Sequence, residues 1–136
     1  MKQEDKELLL KDLCARLPYG VKCGVLTHPN CRLPNLKKED DLYYKGRPKY
    51  QTLDLATLSI NPIECFIPYL RPMSSMTKEE KEKYESLCEW CLDDTGQNFH
   101  YDTVESFDYL NSIHVDYRGL IKKGLALEAP ADMYNN

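Results

Sequence analysis

"TKEEKEKYESLCEWCLDDTG", residues 77–96, decides how the C-terminal half of this chain is read. Thr77 and Glu80 have the spacing of a capping box. The hydroxyl satisfies one free backbone N–H of a helix start, and the carboxylate reaches back to another. Behind them Tyr84, Leu87, Cys88, Cys91 and Leu92 recur at the three- and four-residue steps of an amphipathic helix. Gly96 then reads as the helix terminator. A further helix is expected to start at Asp102 or Thr103 and to turn Val104, Phe107 and Leu110 inward. The C-terminal half is therefore expected to be helical.

Upstream, residues 3–17 predict an N-terminal helix. Glu4 and Asp5 in the first turn and Arg16 in the last suit the helix dipole. Leu9, Leu10, Leu13, Cys14 and Leu17 supply a stripe, and Pro18 and Gly20 stop it. Val21, Cys23 and Val25 alternate with Lys22 and Gly24, as in a strand. Residues 27–41 are polar, with Pro29 and Pro34, and read as a long loop. Residues 42–45 and 49–60 read as two strands around Gly46-Arg47-Pro48. The second changes apolar phase between Leu55 and Leu58, which predicts a bulge or two short strands. Residues 63–70 read as an edge strand, because Pro62, Pro68 and Pro72 argue against a central one.

Downstream, "HVDYRGLIKKGLALEAP", residues 114–130, gathers His114, Asp116, Tyr117 and Arg118 within five positions. Each has a local structural use. Asp116 is expected to N-cap a short helix over 117–123. Gly124 fits the left-handed residue after it, and the Leu120–Leu125 pair fits a Schellman ending. His114 is expected at the end of the preceding helix, where the dipole favours a partly positive imidazole. Arg118 is expected to pair with Asp116 or an acidic neighbour.

The chain has 136 residues and a net charge of −4, sized for one domain over 1–136. Such a charge argues against a nucleic-acid binder working by phosphate neutralisation. The charged N-terminus lacks the pattern of a signal peptide, and no apolar run approaches the ~20 residues that span a bilayer. A cytoplasmic location is expected, with the six cysteines reduced.

Several motifs offer chemistry. His28-x-x-Cys31 with Cys88-x-x-Cys91 has the composition of a structural zinc site. Cysteine is also among the most buried residue types without a metal, and the plain core reading is preferred. A redox role for Cys88 and Cys91 would require a helix N-terminus, whereas this pair is expected near a helix end beside Asp93 and Asp94. Asp94-Thr95-Gly96 is the tripeptide of aspartic proteases, here placed after a helix and without a second facing carboxylate. The same stretch lacks calcium-loop spacing. A small hydrolase could use His114 or His100 with nearby aspartates. No Walker loop, G-x-G-x-x-G or nucleophile elbow is present. Between Tyr84 and Tyr117 lie eight acidic residues and no Lys or Arg, against a locally basic stretch over 32–49. The acidic run reads as solvated helix faces or as a surface for a basic partner.

Three stretches, "LLLKDLCARLPYGVKC", "PYLRPMSSMTKEEKE" and "FDYLNSIHVDYRGLIKKGLALEAP", resemble a group of short uncharacterised proteins of gut Bacteroides genomes and of the phages and mobile elements of those bacteria. They fall at the start, middle and end of the chain. The resemblance implies a small cytoplasmic bacterial or phage protein in an accessory role. It implies no site residue.

The expected fold is α+β: an N-terminal helix, a small antiparallel sheet, and a C-terminal helical part packed on the sheet. The expected function is non-enzymatic, a protein–protein interaction without cofactor, metal or nucleic acid. Its partner contact is expected at the predicted hairpin, through Tyr43, Tyr44, Arg47 and Tyr50, since Tyr and Arg are common interface anchors. The alternatives are the zinc domain and the hydrolase.

Overall fold

The computed structural model describes residues 1–25, 43–44, 47–48 and 50–134. The expected loop over 27–41 and two of the four proposed zinc ligands, His28 and Cys31, lie outside the described residues. The fold is α+β. Helix α1 spans Gln3–Arg16, and a 3-10 turn at Leu17–Tyr19 leads through Gly20, at φ 72°, into strand β1, Lys22–Val25. The acidic first turn and basic last turn of α1 are as expected. Its buried face is not. Leu10 and Cys14 are exposed, and the face that turns inward carries Leu9, Asp12, Leu13 and Arg16. That face is half apolar and half an ion pair.

Two-residue strands β2 (Tyr43–Tyr44) and β3 (Arg47–Pro48) pair antiparallel, and β4 (Gln51–Thr52) pairs with β1. The strand expected over 49–60 ends there. Asp54 accepts a hydrogen bond from the Thr57 N–H at 2.7 Å, and residues Leu55–Ile60 form helix α2. The phase change at Leu55–Leu58 was thus the mark of an N-cap, not of a bulge.

Strand β5, Phe66–Leu70, is central and not an edge strand. It pairs antiparallel with β1 and parallel with β8, Leu127–Glu128, giving the order β4-β1-β5-β8. The main sheet is therefore mixed, which corrects the antiparallel expectation. Pro68 is accommodated because the ladder to β8 covers only Tyr69 and Leu70, beyond the residue that lacks an N–H.

Helix α3, Lys78–Leu87, starts at the expected capping box: Glu80 N–H donates to Thr77 Oγ1, and Thr77 N–H donates to Glu80 Oε1. It stops earlier than the stripe predicts. Cys88 is extended, and residues Glu89–Leu92 (β6) pair with Asn98–Tyr101 (β7) as an antiparallel hairpin. Gly96 ends no helix. It sits at φ 85° in the hairpin turn, donating its N–H to the Asp93 carbonyl, while Asp93 N–H donates to the Gln97 carbonyl. This is a type I turn closed by a left-handed residue.

Helix α4, Val104–Ser112, is capped by Thr103, with Ser106 reciprocating. Of its expected inward residues only Leu110 is buried; Val104 is 73 % exposed and Phe107 39 %. The main core lies between α1, the sheet and the 120–126 turn, on Leu9, Leu13, Val21, Phe66, Leu70 and Leu120. A smaller one gathers Met76, Leu110 and Val115. No described helix is long and apolar enough to cross a membrane.

Candidate functional site

The stretch from His114 to Arg118 runs beside the end of β5. Arg71 N–H donates to the His114 carbonyl at 2.8 Å, and Asp116 N–H donates to the Arg71 carbonyl at 2.7 Å. The helix expected over 117–123 is a single turn; its C-terminal ending is as expected, whereas Asp116 is not an N-cap, because Gly119 at φ 75° lies between it and the turn and its bonds go to N–H groups four and five residues on. The two Asp116 carboxylate oxygens each accept one backbone N–H, from Leu120 and from Ile121, both at 2.9 Å. Gly124 has φ 75°. Its N–H bonds the Ile121 carbonyl, and Leu125 N–H reaches back to Leu120, the paired bonds of a Schellman ending. Leu120 and Leu125 both enter the core.

His114 contradicts its dipole reading. It is buried, at φ 61°, with its ring stacked on Tyr134 at 3.9 Å between centroids. Burial lowers its pKa to about 4, and the cations Arg16, Arg71 and Lys22 push the same way against a hydrogen bond to the Tyr19 backbone. With such a pKa the imidazole is uncharged near pH 7. The His114 ring lies on Tyr134 and the His100 ring on Trp90, and among the described residues neither histidine is in an ion pair with a carboxylate.

Arg118 does not pair with Asp116; the acid it meets is distant in the chain. It reaches Asp12 on α1, Nε to Oδ1 at 3.7 Å, and donates to the Tyr117 hydroxyl. Asp12 also accepts from Arg16 Nε at 2.9 Å, and both side chains are fully buried. Arg16 donates its other arm to the Val115 carbonyl at 2.7 Å. The Tyr117 ring lies near both guanidinium groups, 5.5 Å from Arg16 and 4.6 Å from Arg118. This network fastens α1 to the 114–118 segment. Sequence reasoning missed Asp12 and Arg16, since charged residues at helical spacing read as solvent-facing. A second fork, Arg71 to both Glu80 oxygens at 2.6 and 2.8 Å, ties the start of α3 to β5 and holds the Glu80 pKa at about 2.

Cys88, Cys91 and the Asp94-Thr95-Gly96 tripeptide each take part in local structure. Cys88 is buried, with Sγ 3.4 Å from the Tyr84 carbonyl, whereas Cys91 lies on the hairpin and is only half-buried. Both were expected on one helix face. Among the described residues no three His, Cys, Asp or Glu side chains form a group that could hold a metal. The turn at 93–97 is organised by Asp93, whose Oδ1 accepts from the N–H groups of Thr95 and Gln97 and from the Thr95 hydroxyl. Those bonds lower its pKa.

Two surfaces stand out. A groove of about 640 Å³ between α1 and α4 is walled by Leu8, Phe107, Tyr117 and Arg118 among others. Beside it stands the β6–β7 hairpin. Trp90 and Tyr101, on opposite faces of the hairpin by the strand register, are 49 % and 59 % exposed, and Leu92 is 67 % exposed. Its ties to the body run through α3. Trp90 Nε1 donates to the Glu85 carbonyl, Tyr84 donates to Asp102, and the His100 ring packs against both Trp90 and Tyr84. Seven of the eight acidic residues between 84 and 117 are exposed; only Asp116 is buried. No described Lys or Arg pairs with Glu85, Glu89, Asp94, Glu105 or Asp108.

Of the residues expected to contact a partner, Tyr50 is exposed, edge-to-face with Tyr69 and 5.3 Å from the Lys22 ammonium. The side chains of Tyr43, Tyr44 and Arg47 lie outside the described residues; their backbone forms a hairpin ladder with a different register from the one expected, Arg47 and Pro48 standing in the second strand opposite Tyr44 and Tyr43 and not in the connection. No known protein family, curated protein or solved structure matches the chain.

Proposed function

We propose that this chain is a non-enzymatic, cytoplasmic interaction protein, an accessory of a phage or mobile element, that grips a basic protein segment through the β6–β7 hairpin and the start of α4. One observation carries the reading. Trp90, Leu92, Tyr101, Val104 and Phe107 are exposed within a stretch that bears exposed carboxylates and no Lys or Arg. A two-stranded hairpin with large side chains on both faces gains little stability from them alone. Aromatic anchors are the groups that dominate binding energy when a partner covers them. Carboxylates around such anchors select a Lys- or Arg-rich segment and speed its encounter. The occupant is therefore an extended or helical segment with Lys or Arg flanking an apolar anchor. Tyr50 and its hairpin are the second surface on which a contact is expected.

Peptide display on the intact chain tests this. Enriched sequences should combine basic residues with an aromatic or aliphatic anchor. Their binding should weaken as salt rises and fall at least tenfold in Trp90→Ala and in Phe107→Ala. Selection of acidic peptides, or binding indifferent to both substitutions, would overturn the proposal.

A further inference from the structure

The C-terminal segment supplies a ring to a slot that the rest of the fold builds. Pairing between β1 and β5 stops at Cys23 opposite Pro68. At the next rung the phenol of Tyr134 takes the place of a direct bond. Its hydroxyl accepts the Lys22 N–H at 2.9 Å and donates to the Tyr69 carbonyl at 2.7 Å. The ring lies on His114, nearly parallel at 19°, with the Lys22 ammonium 5.6 Å from its centroid. Lys22 Nζ donates to the Met133 carbonyl at 2.9 Å. The slot thus offers a donor and an acceptor for one para-hydroxyl, an aromatic floor, and a cation beside the far end of the ring.

Tyr134 is also a partition. Cavities of about 340 and 320 Å³ both have Tyr134, Arg71 and Glu80 on their walls. The strap that brings the ring there is thin. Pro130 and Asp132 are exposed, Ala129 N–H holds it to the Leu70 carbonyl, and Met133 is its buried anchor. Withdrawal of Tyr134 would remove a wall that the two cavities share. Lys22, Arg71, Glu80 and His114 line the second of them, and the Lys22 ammonium would lose its carbonyl partner.

We propose that this slot is a binding site for a para-substituted phenol bearing a carboxylate or carbonyl at its far end, and that Tyr134 is its resident, displaceable occupant. The hydroxyl of the incoming ligand takes the two backbone bonds, the ring stacks on His114, and the acid meets Lys22. The released strap leaves the ligand in its place, so occupancy of the slot and position of the C-terminal segment are linked. This site is independent of the acidic hairpin.

The probe is 3-(4-hydroxyphenyl)propionate, which reproduces the tyrosine side chain and its neighbouring carbonyl. In Tyr134→Ala it should bind saturably, with a Kd on the order of 1 mM for so small a ligand. At about ten times that concentration it should raise Tm by roughly 3–5 °C. The wild-type chain should bind at least tenfold more weakly, because the strap must first leave. 3-Phenylpropionate, without the hydroxyl, should bind the variant several-fold more weakly than the phenol. In NMR spectra of the variant the phenol should move the Lys22 amide and the His114 ring signals. Should Tyr134→Ala be unfolded, the probe must restore its near-ultraviolet dichroism, and Tyr134→Phe, which keeps the ring and loses both backbone bonds, must bind the probe more tightly than wild type. Failure of the probe to bind either variant, equal binding to wild type and variant, or shifts that miss Lys22 and His114 would each overturn the proposal.

Discussion

Lowering the pH from about 7 to about 5 should destabilise this protein through one side chain. Unfolded, an imidazole takes up its proton near pH 6.5; folded, His114 does so only near 4. Between those values the unfolded chain holds the extra proton and the native one does not, so stability is full above about 6.5 and falls as the pH drops toward 4. Linkage with those two values gives a loss of about 2 kcal/mol between pH 7 and pH 5, a shift of roughly 1 M in the urea midpoint. The charged groups that face the ring act in one direction, opposed only by a hydrogen bond to the Tyr19 backbone. Arg16, Arg71 and Lys22 oppose its protonation, and the Tyr134 ring covers it. Glu80, held near 2, does not titrate in this window. Urea unfolding followed by dichroism at both pH values, on wild type and on His114→Asn, separates this residue from the other histidines. Asparagine tolerates the left-handed backbone that position 114 requires. The variant should lose most of the pH dependence. Equal midpoints at both pH values in wild type, or an unchanged slope in His114→Asn, would refute the burial argument.

Asp116→Ala should cost about 1–2 kcal/mol in chemical denaturation, because it strips acceptors from two backbone N–H groups. Asp116→Asn should cost about 1, since an amide offers one acceptor where both carboxylate oxygens are used. Gly124→Ala should destabilise by about 1 kcal/mol in the same assay. An added Cβ meets nothing within 4 Å, so the cost is that of the φ 75° backbone alone. Arg16→Met should lose about 3–5 kcal/mol by leaving Asp12 buried with only the longer Arg118 contact, and the double variant Asp12→Leu/Arg16→Met should recover much of it.

What the sequence made legible was local chemistry. The Thr77–Glu80 box, the Pro18–Gly20 stop and the Gly124–Leu125 ending each depend on neighbours in the chain, and each stands in the structure where the residue types put it. The hairpin was missed because Tyr84, Leu87, Cys88, Cys91 and Leu92 satisfy helical spacing, while Trp90 and Leu92 also satisfy strand alternation. Asp93 decides between the two by gathering the turn amides, a role that its place in an acidic run does not reveal. Asp54 was passed over in the same way inside an apolar strand pattern. The buried Asp12–Arg16 pair could not be read from α1 alone. Its burial depends on Val115, Tyr117 and Arg118, about a hundred residues away in the chain. The expected apolar stripe was displaced by one step for that reason. The candidate surface followed the same division. Its charge was visible at once, whereas the exposure of its aromatic groups depended on the hairpin.

The proposed grip on a basic segment is tested most directly by mapping contact on the isotopically labelled chain with a display-selected Lys/Arg-rich peptide. The account predicts amide shifts concentrated at Glu89–Leu92, at Asn98–Tyr101 and in the first turns of α4, with the Trp90 indole signal among the largest. Shifts that leave those residues in place and gather elsewhere, on β4 and Tyr50 or along the 640 Å³ groove alone, would contradict it.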